Sequence, residues 1–324
     1  FGDVDEQQRS IGRAGHSVYD NSFSPRPMSA DAFRSALFRW AGNLQEELAF
    51  WTHWAATGGA PNPEHHALRT NPATPIQPAL VQHARELGLP QLQVLDVGSG
   101  PLTKVGHRAP ADLAITVHTC DPLAPAYIGA FQRHGIPVPN PPRFALAEYL
   151  SAFYAPGSMD VITCNNALDH CIDPLRALNE MLRVVKPGGI LLCSHHRNEG
   201  QKANYEGLHQ FNIDTESGRP ILWNRAGRVA IADQLAVATD TSVVEEDEHW
   251  VHLRIRKLAE FSDVDGADHA RAQLRELLLG AVEQGLAKPA APATPAPEPA
   301  MGSRNWIKRR LGDLKQRLQQ RLAR

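Results

Sequence analysis

Val94-Leu95-Asp96-Val97-Gly98-Ser99-Gly100, followed by Asp121 at the end of the next apolar run, decides the fold. A short β-branched run breaks into a turn built on glycines, and an acid follows about twenty residues on. Glycines let a backbone approach a ligand and accept φ values that a Cβ forbids, while an ionised acid can read the two hydroxyls of a ribose. The pattern predicts a nucleotide site at the strand ends of a doubly wound α/β sheet.

Outward from this turn, strand and helix signals alternate. Residues 92–97, 115–120, 143–146, 159–164 and 190–194 read as strands, and 174–185 as a periodic helix stopped by Lys186-Pro187-Gly188-Gly189. That alternation implies a mostly parallel sheet covered on both faces. The segment 195–224 interrupts the rhythm, 226–239 is expected to resume it as helix, and 242–246 with 250–258 are expected to close the sheet as an antiparallel pair.

Upstream, residues 1–29 are expected to be loosely ordered. Residues 30–90 form a helical extension or lid, with Phe33, Leu37, Trp40, Leu44, Leu48 and Trp51 at three- and four-residue steps. Within it, 62–78 reads as loop and 79–87 as a short helix. The core spans 91–260 and a further helix spans 261–287, with Leu274, Leu277, Leu278 and Val282 as its apolar stripe. Residues 288–300 are an Ala/Pro linker, and 301–324 a basic amphipathic helix with Ile307, Leu311, Leu314, Leu318 and Leu322 on one face. Such a tail fits peripheral membrane contact or a partner helix.

The formal net charge of -2 over 324 residues gives no case for a nucleic-acid partner. Cys120, Cys164, Cys171 and Cys193 form no C-x-x-C pair and read as small apolar residues rather than metal ligands or disulfides. No apolar run approaches membrane-spanning length, and no secretory pattern opens the sequence, so the expected location is cytoplasmic, peripheral at the inner membrane surface if the tail binds lipid.

Four blocks taken together resemble class I S-adenosylmethionine-dependent methyltransferases with a small-molecule (type 11-like) core. They are Leu95-Asp96-Val97-Gly98-Ser99-Gly100, Cys120-Asp121-Pro122, the run from Ser158 to His170, and Leu182-Arg183-Val184-Val185-Lys186-Pro187-Gly188-Gly189. The resemblance covers residues 91–258 and implies a seven-stranded, mostly parallel, Rossmann-like sheet with S-adenosyl-L-methionine as cofactor. It implies that Asp96 faces the methionine ammonium and that Gly98, Ser99 and Gly100 lie against methionine and ribose. Asp121, beside Pro122, takes the ribose hydroxyls, Ala147 and Glu148 flank the adenine, and Asn165 lines the cofactor site. A dinucleotide enzyme would need a third glycine where this chain has Thr103. The family's own third glycine is replaced by Leu102.

Transfer from a sulfonium depends mainly on aligning the acceptor atom, and a hydroxyl acceptor also needs a base. Histidine suits that near neutral pH. His170, with Asp169 to orient it, and His195 are the expected catalytic groups. The insert 195–224 is expected to bind the acceptor through His196, Tyr205, His209, Gln210 and Trp223. The expected reaction is O-methylation of a sugar, a glycan intermediate or another polar small molecule. N- or C-methylation of a natural product or lipid-like acceptor, and a non-catalytic cofactor-binding regulator, stay open. No metal is assigned, although related sugar methyltransferases suggest a reading in which Asp169, Asp173 and histidines hold a divalent ion.

Overall fold

The computed structural model describes residues 30–60, 62–262 and 268–287. The expectations for 1–29, for the linker 288–300 and for the basic helix 301–324 lie outside the described residues.

Four helices precede the sheet: α1 (Ala30–Ala41), α2 (Leu44–Ala56), α3 (Pro63–Thr70) and α4 (Pro78–Glu86). The sequence reading made 62–78 a loop. Instead Pro63 at the first helical position and Glu64 in the first turn start α3, the usual chemistry of a helix N-terminus. Next come β1 (Gln91–Val97), β2 (Ala114–Cys120), α5 (Ala124–Arg133), β3 (Met159–Asn165), α6 (Pro174–Val184) and β4 (Val185–His196). The chain then forms α7 (Glu199–Lys202), β5 (Asn212–Glu216), β6 (Arg219–Asn224), β7 (Gly227–Ala230), β8 (Thr239–Glu246), β9 (Trp250–Lys257) and α8 (Asp268–Ala287).

The main sheet has six strands in the order β2-β1-β3-β4-β9-β8, not seven. The first four are parallel, and β9 and β8 add antiparallel at one edge, as their spacing predicted. The missing strand is 143–146. Only Arg143 bridges to Cys120, because Pro141 and Pro142 immediately upstream have no N–H to extend the ladder. Order reverses at β1, between β2 and β3, so a ligand crevice is expected beyond the carboxyl ends of these strands.

The insert differs from expectation as well. β5, β6 and β7 make a separate three-stranded antiparallel sheet. The helix expected over 226–239 is absent: Asn224 Oδ1 accepts the Ala226 amide at 2.8 Å in a tight turn, and Gly227–Ala230 pairs back as β7 before a short 3-10 turn at Ile231–Gln234.

Two apolar layers sandwich the sheet. Leu178, Met181 and Leu182 of α6 pack on one side with Leu95, Ile162 and Leu191 of the strands, and Leu80 and Ala84 of α4 cover Val94, Val161 and Ile190 on the other. A further cluster joins α1 to α8 through Phe33, Leu37, Trp40, Leu278 and Val282. Leu277, placed on the stripe from sequence, is 40% exposed instead. Cys120, Cys164, Cys171 and Cys193 are all free thiols. No helix among the described residues is long and apolar enough to cross a membrane.

Candidate active site

Beyond the ends of β1, β2 and β3 lies a cavity of about 710 Å³, within the range of small-molecule sites. All nine residues expected to hold the cofactor line it: Asp96, Gly98, Ser99, Gly100, Asp121, Pro122, Ala147, Glu148 and Asn165.

Their local geometry follows from the turn. Gly98 and Gly100 have φ of 66° and 61°, the left-handed region where a Cβ is costly. Gly98 is also crowded, since a Cβ there would lie 2.4 Å from the Cβ of Ala167. The Gly98 and Ser99 amides donate to the Cys120 carbonyl at 2.9 and 3.1 Å, which ties the loop to the end of β2. Asp121 completes the tie, with Oδ2 accepting from the Gly100 amide at 3.0 Å and Oδ1 from the Leu123 amide at 2.8 Å. Burial outweighs these bonds and pushes its carboxyl up to about 7.

Asp96 is 2% exposed and accepts from Thr103 Oγ1 at 2.6 Å and Thr163 Oγ1 at 2.7 Å. It therefore pins the loop to β3 while its edge faces the cavity, and burial holds its carboxyl above the ordinary range despite both threonines. Thr103, noted in the sequence only for not being glycine, is thus part of the loop's anchorage. Glu148 accepts the amides of Ile172 and Asp173 at 2.6 and 3.3 Å, and burial again raises its carboxyl.

Leu102, the departure from the family pattern, is 1% exposed and packs among Trp54 and Ala55 of α2 and Ala130 and Phe131 of α5. The side chain clamps the helical extension onto the loop. From the same extension, Trp51 and Arg69 line the cavity, and sequence reasoning assigned neither to the site. Arg69 donates to the carbonyls of Ser99 and Leu102, and its guanidinium lies 5.0 Å from the Trp51 ring centroid. Burial lowers it to about 10. An arginine in a loosely patterned Pro/Asn-rich segment carries no local sign that it will fold back onto a glycine turn.

The catalytic expectations divide. Asp169 and His170 sit in a short 3-10 turn after β3, and His209 comes from the insert. His209 Nδ1 lies 2.7 Å from Asp169 Oδ2 and 3.1 Å from His170 Nε2, and the two rings meet edge to face at 4.4 Å. The Asp169 hydrogen bond raises His209 against the effect of burial. Burial works to raise Asp169, yet the neighbouring His170 and His209 hold it below the ordinary carboxylate range. Both histidines line the cavity.

His195 does not line it. It is 0% exposed on β4, neither ring nitrogen has a partner among the described residues, and burial lowers it to about 4, so it is a neutral core side chain. Of the five residues expected to bind acceptor, only His209 borders the cavity. His196 stacks on Trp250 at 3.7 Å between centroids. Tyr205 Oη accepts from Asn212 at 3.0 Å, and the Trp223 indole donates to Asn198 at 3.0 Å. Gln210 spends its side-chain amide on the carbonyls of Tyr205 and Gly207, both at 2.9 Å. Trp223 is taken up by β6, Tyr205 and Gln210 by contacts within the insert, and His196 by the β4–β9 pair. The cavity lining instead carries the carboxylates of Glu46, Glu47, Glu199 and Glu206 together with Arg69 and Lys104.

Residues 95–193 match the family model described as a methyltransferase domain. The chain is 34% identical over 143 residues to a ubiquinone biosynthesis O-methyltransferase of Xanthomonas campestris pv. campestris, covering 44% of this chain and 54% of that protein. It is 43% identical over 53 residues to an uncharacterized methyltransferase of Mycobacterium sp., covering 16% and 21% respectively. The chain thus spans about half the length of the first of these relatives. Among solved structures, it resembles a Burkholderia thailandensis 1,6-didemethyltoxoflavin-N1-methyltransferase at 18% identity and TM-score 0.36, over 72% of this chain and 93% of that one.

Proposed function

We propose that the chain transfers a methyl group from S-adenosylmethionine to a hydroxyl of a polar small molecule. The observation that carries this is the meeting, in one cavity, of the Gly98–Gly100 turn and Asp121 with the Asp169–His209–His170 cluster. The residues present fit the cofactor. Positive-φ glycines leave room along the loop, and the buried Asp121 faces a cavity large enough for a nucleoside and a second small molecule. When bound, the cofactor supplies an electrophilic methyl on a positively charged sulfur.

The chain's own residues then have separate tasks. Asp121 binds the ribose diol, for which it must be ionised. Asp96, held by Thr103 and Thr163, sets the loop and presents negative charge toward the methionine end. Trp51 and Arg69 form the wall of the cavity beside the loop, with Arg69 holding the Ser99 and Leu102 carbonyls. His170 and His209 border the acceptor end, where either ring can take a hydroxyl proton while Asp169 orients His209. His195 has no part in this, being sealed in the sheet. The likeness to an O-methyltransferase supports oxygen as the acceptor atom.

Tyr205 and Trp223, expected to stack on a sugar, do not border the cavity, whose aromatic lining is Trp40, Phe50, Trp51 and Tyr127. A second reading, transfer to an amine, is favoured by the four glutamates that line the cavity, which would attract a cationic acceptor. The test is labelled methyl transfer to a panel of phenols, polyols and amines, with His170→Ala and His209→Ala checked for retained cofactor binding. Loss of transfer to a hydroxyl acceptor in both variants is expected. Unimpaired transfer in both would overturn the roles given to these histidines, and transfer only to amines would favour the second reading.

A further inference from the structure

We infer that Asp169, His170 and His209 form a binding site for one divalent transition-metal ion at the acceptor end of the cavity. Their three donor atoms, Asp169 Oδ2, His209 Nδ1 and His170 Nε2, make a closed triangle with edges of 2.7, 3.1 and 3.5 Å. An ion with bonds of about 2.1 Å separates adjacent donors by about 3.0 Å in octahedral and about 3.4 Å in tetrahedral geometry. The triangle has the size of one face of such a coordination shell.

Hydrogen bonding satisfies this arrangement only in part, since one ring nitrogen cannot give both neighbours a full bond. His209 Nδ1 lies within hydrogen-bonding distance of both Asp169 Oδ2 and His170 Nε2, and a ring nitrogen offers either one proton or one lone pair. If it donates to Asp169, it has no lone pair for His170, and if it accepts from His170, it meets Asp169 with two acceptors facing. A cation at the centre uses the lone pairs of all three together. A separate observation agrees: Asp169 is 1% exposed, yet its Oδ1 has no partner among the described residues. A carboxylate binding an ion through both oxygens would use that atom.

The site is held from several elements. The Trp40 indole of α1 donates to the His170 carbonyl at 2.7 Å, and the Gln210 amide donates to the Asp169 carbonyl at 3.1 Å, which fixes the insert to the turn. Glu199 and Glu206 border the same cavity and add negative potential favourable to a cation. Two imidazoles and one carboxylate suit zinc, manganese, iron or cobalt better than magnesium or calcium, which take oxygen ligands. Positions of the shell not filled by protein face the cavity, where they can hold and orient acceptor oxygens. Asp173, grouped with these residues on sequence grounds, caps α6 through the Arg176 amide at 3.0 Å and is not one of the ligands.

This deepens the functional reading at the same side chains, so the test reads metal apart from turnover. Chelator-stripped full-length protein is titrated with Zn2+ by calorimetry and with Co2+ by visible absorption. One ion per chain is expected, with at least tenfold weaker binding in His209→Ala and in His170→Ala. Circular dichroism and S-adenosylhomocysteine binding confirm that each variant folds; His209, the more exposed of the two side chains, is the less disruptive change. No stoichiometric ion on the full chain, or binding undiminished in both variants, would overturn the site. An ion bound without methyl transfer leaves the site standing and overturns the functional reading, and transfer by a protein that binds no ion does the reverse.

Discussion

Asp121 Oδ2 accepts the Gly100 amide at 3.0 Å, so the acid at the end of β2 and the glycine turn at the end of β1 move as one unit. The carboxylate that reads a ribose is the same one that holds the loop open for it. Two backbone amides and a buried setting orient it before any ligand arrives, so little reorganisation is required on binding.

Replacing Asp121 should therefore remove both functions. Asp121→Ala is expected to weaken S-adenosylhomocysteine binding at least a hundredfold by calorimetry, a loss of about 2.7 kcal/mol or more. Affinity unchanged within threefold would show that the acid is not the ribose partner.

The same group predicts a pH dependence. Folding raises Asp121 from the ordinary carboxylate range to about 7, so between roughly pH 4 and pH 7 the folded state binds a proton the unfolded state has released. Its contribution to stability is thus greatest at low pH and declines as pH rises through 7. Cofactor affinity runs the other way and falls below pH 7, because the ribose hydroxyls need the carboxylate. Melting temperature and affinity measured from pH 5.5 to 8 should show opposite trends, and both should flatten in Asp121→Asn.

Gly98 is crowded as well as left-handed. Gly98→Ala should lower cofactor affinity by tenfold or more, since its Cβ would lie 2.4 Å from that of Ala167. Gly98→Ala with Ala167→Gly should recover part of the loss, leaving about 1 kcal/mol for the φ strain. A double-mutant cycle with no coupling between the two positions would refute the clash.

Leu102→Ala tests the clamp between the loop and the helical extension. Deleting a side chain buried among Trp54, Ala130 and Phe131 is expected to cost about 2–5 kcal/mol in urea unfolding. Cofactor affinity should fall with it, because the loop loses its hold on α2. A change below about 1 kcal/mol would mean that the site collapses around the gap.

Arg69→Lys is expected to behave nearly as badly as Arg69→Ala in cofactor affinity. One nitrogen, Nη2, serves both the Ser99 and Leu102 carbonyls while the planar guanidinium lies over Trp51, and an ammonium that reached the two carbonyls would lose that stacking. Full retention of affinity by the lysine variant would reduce Arg69 to a source of positive charge.

The sequence by itself determined the sheet, the turn and the acid, because each is encoded locally. β-branched runs make strands, glycines permit the left-handed turn, and Asp121 follows at the one spacing that brings it beside Gly100. Every residue read from that logic borders the cavity. Tertiary structure alone decided the acceptor end. His170 and His209 are 39 residues apart and meet through the path of the insert, which no periodicity records. Arg69 reaches Ser99 across 30 residues for the same reason. His195 looked equivalent to His170 along the chain, yet the alternation of a strand turned it into the core, where burial keeps it neutral. Composition announced polar and aromatic groups in the insert, but which would face a ligand and which would bond within the insert depended on how its hairpins and the loop before them fold together.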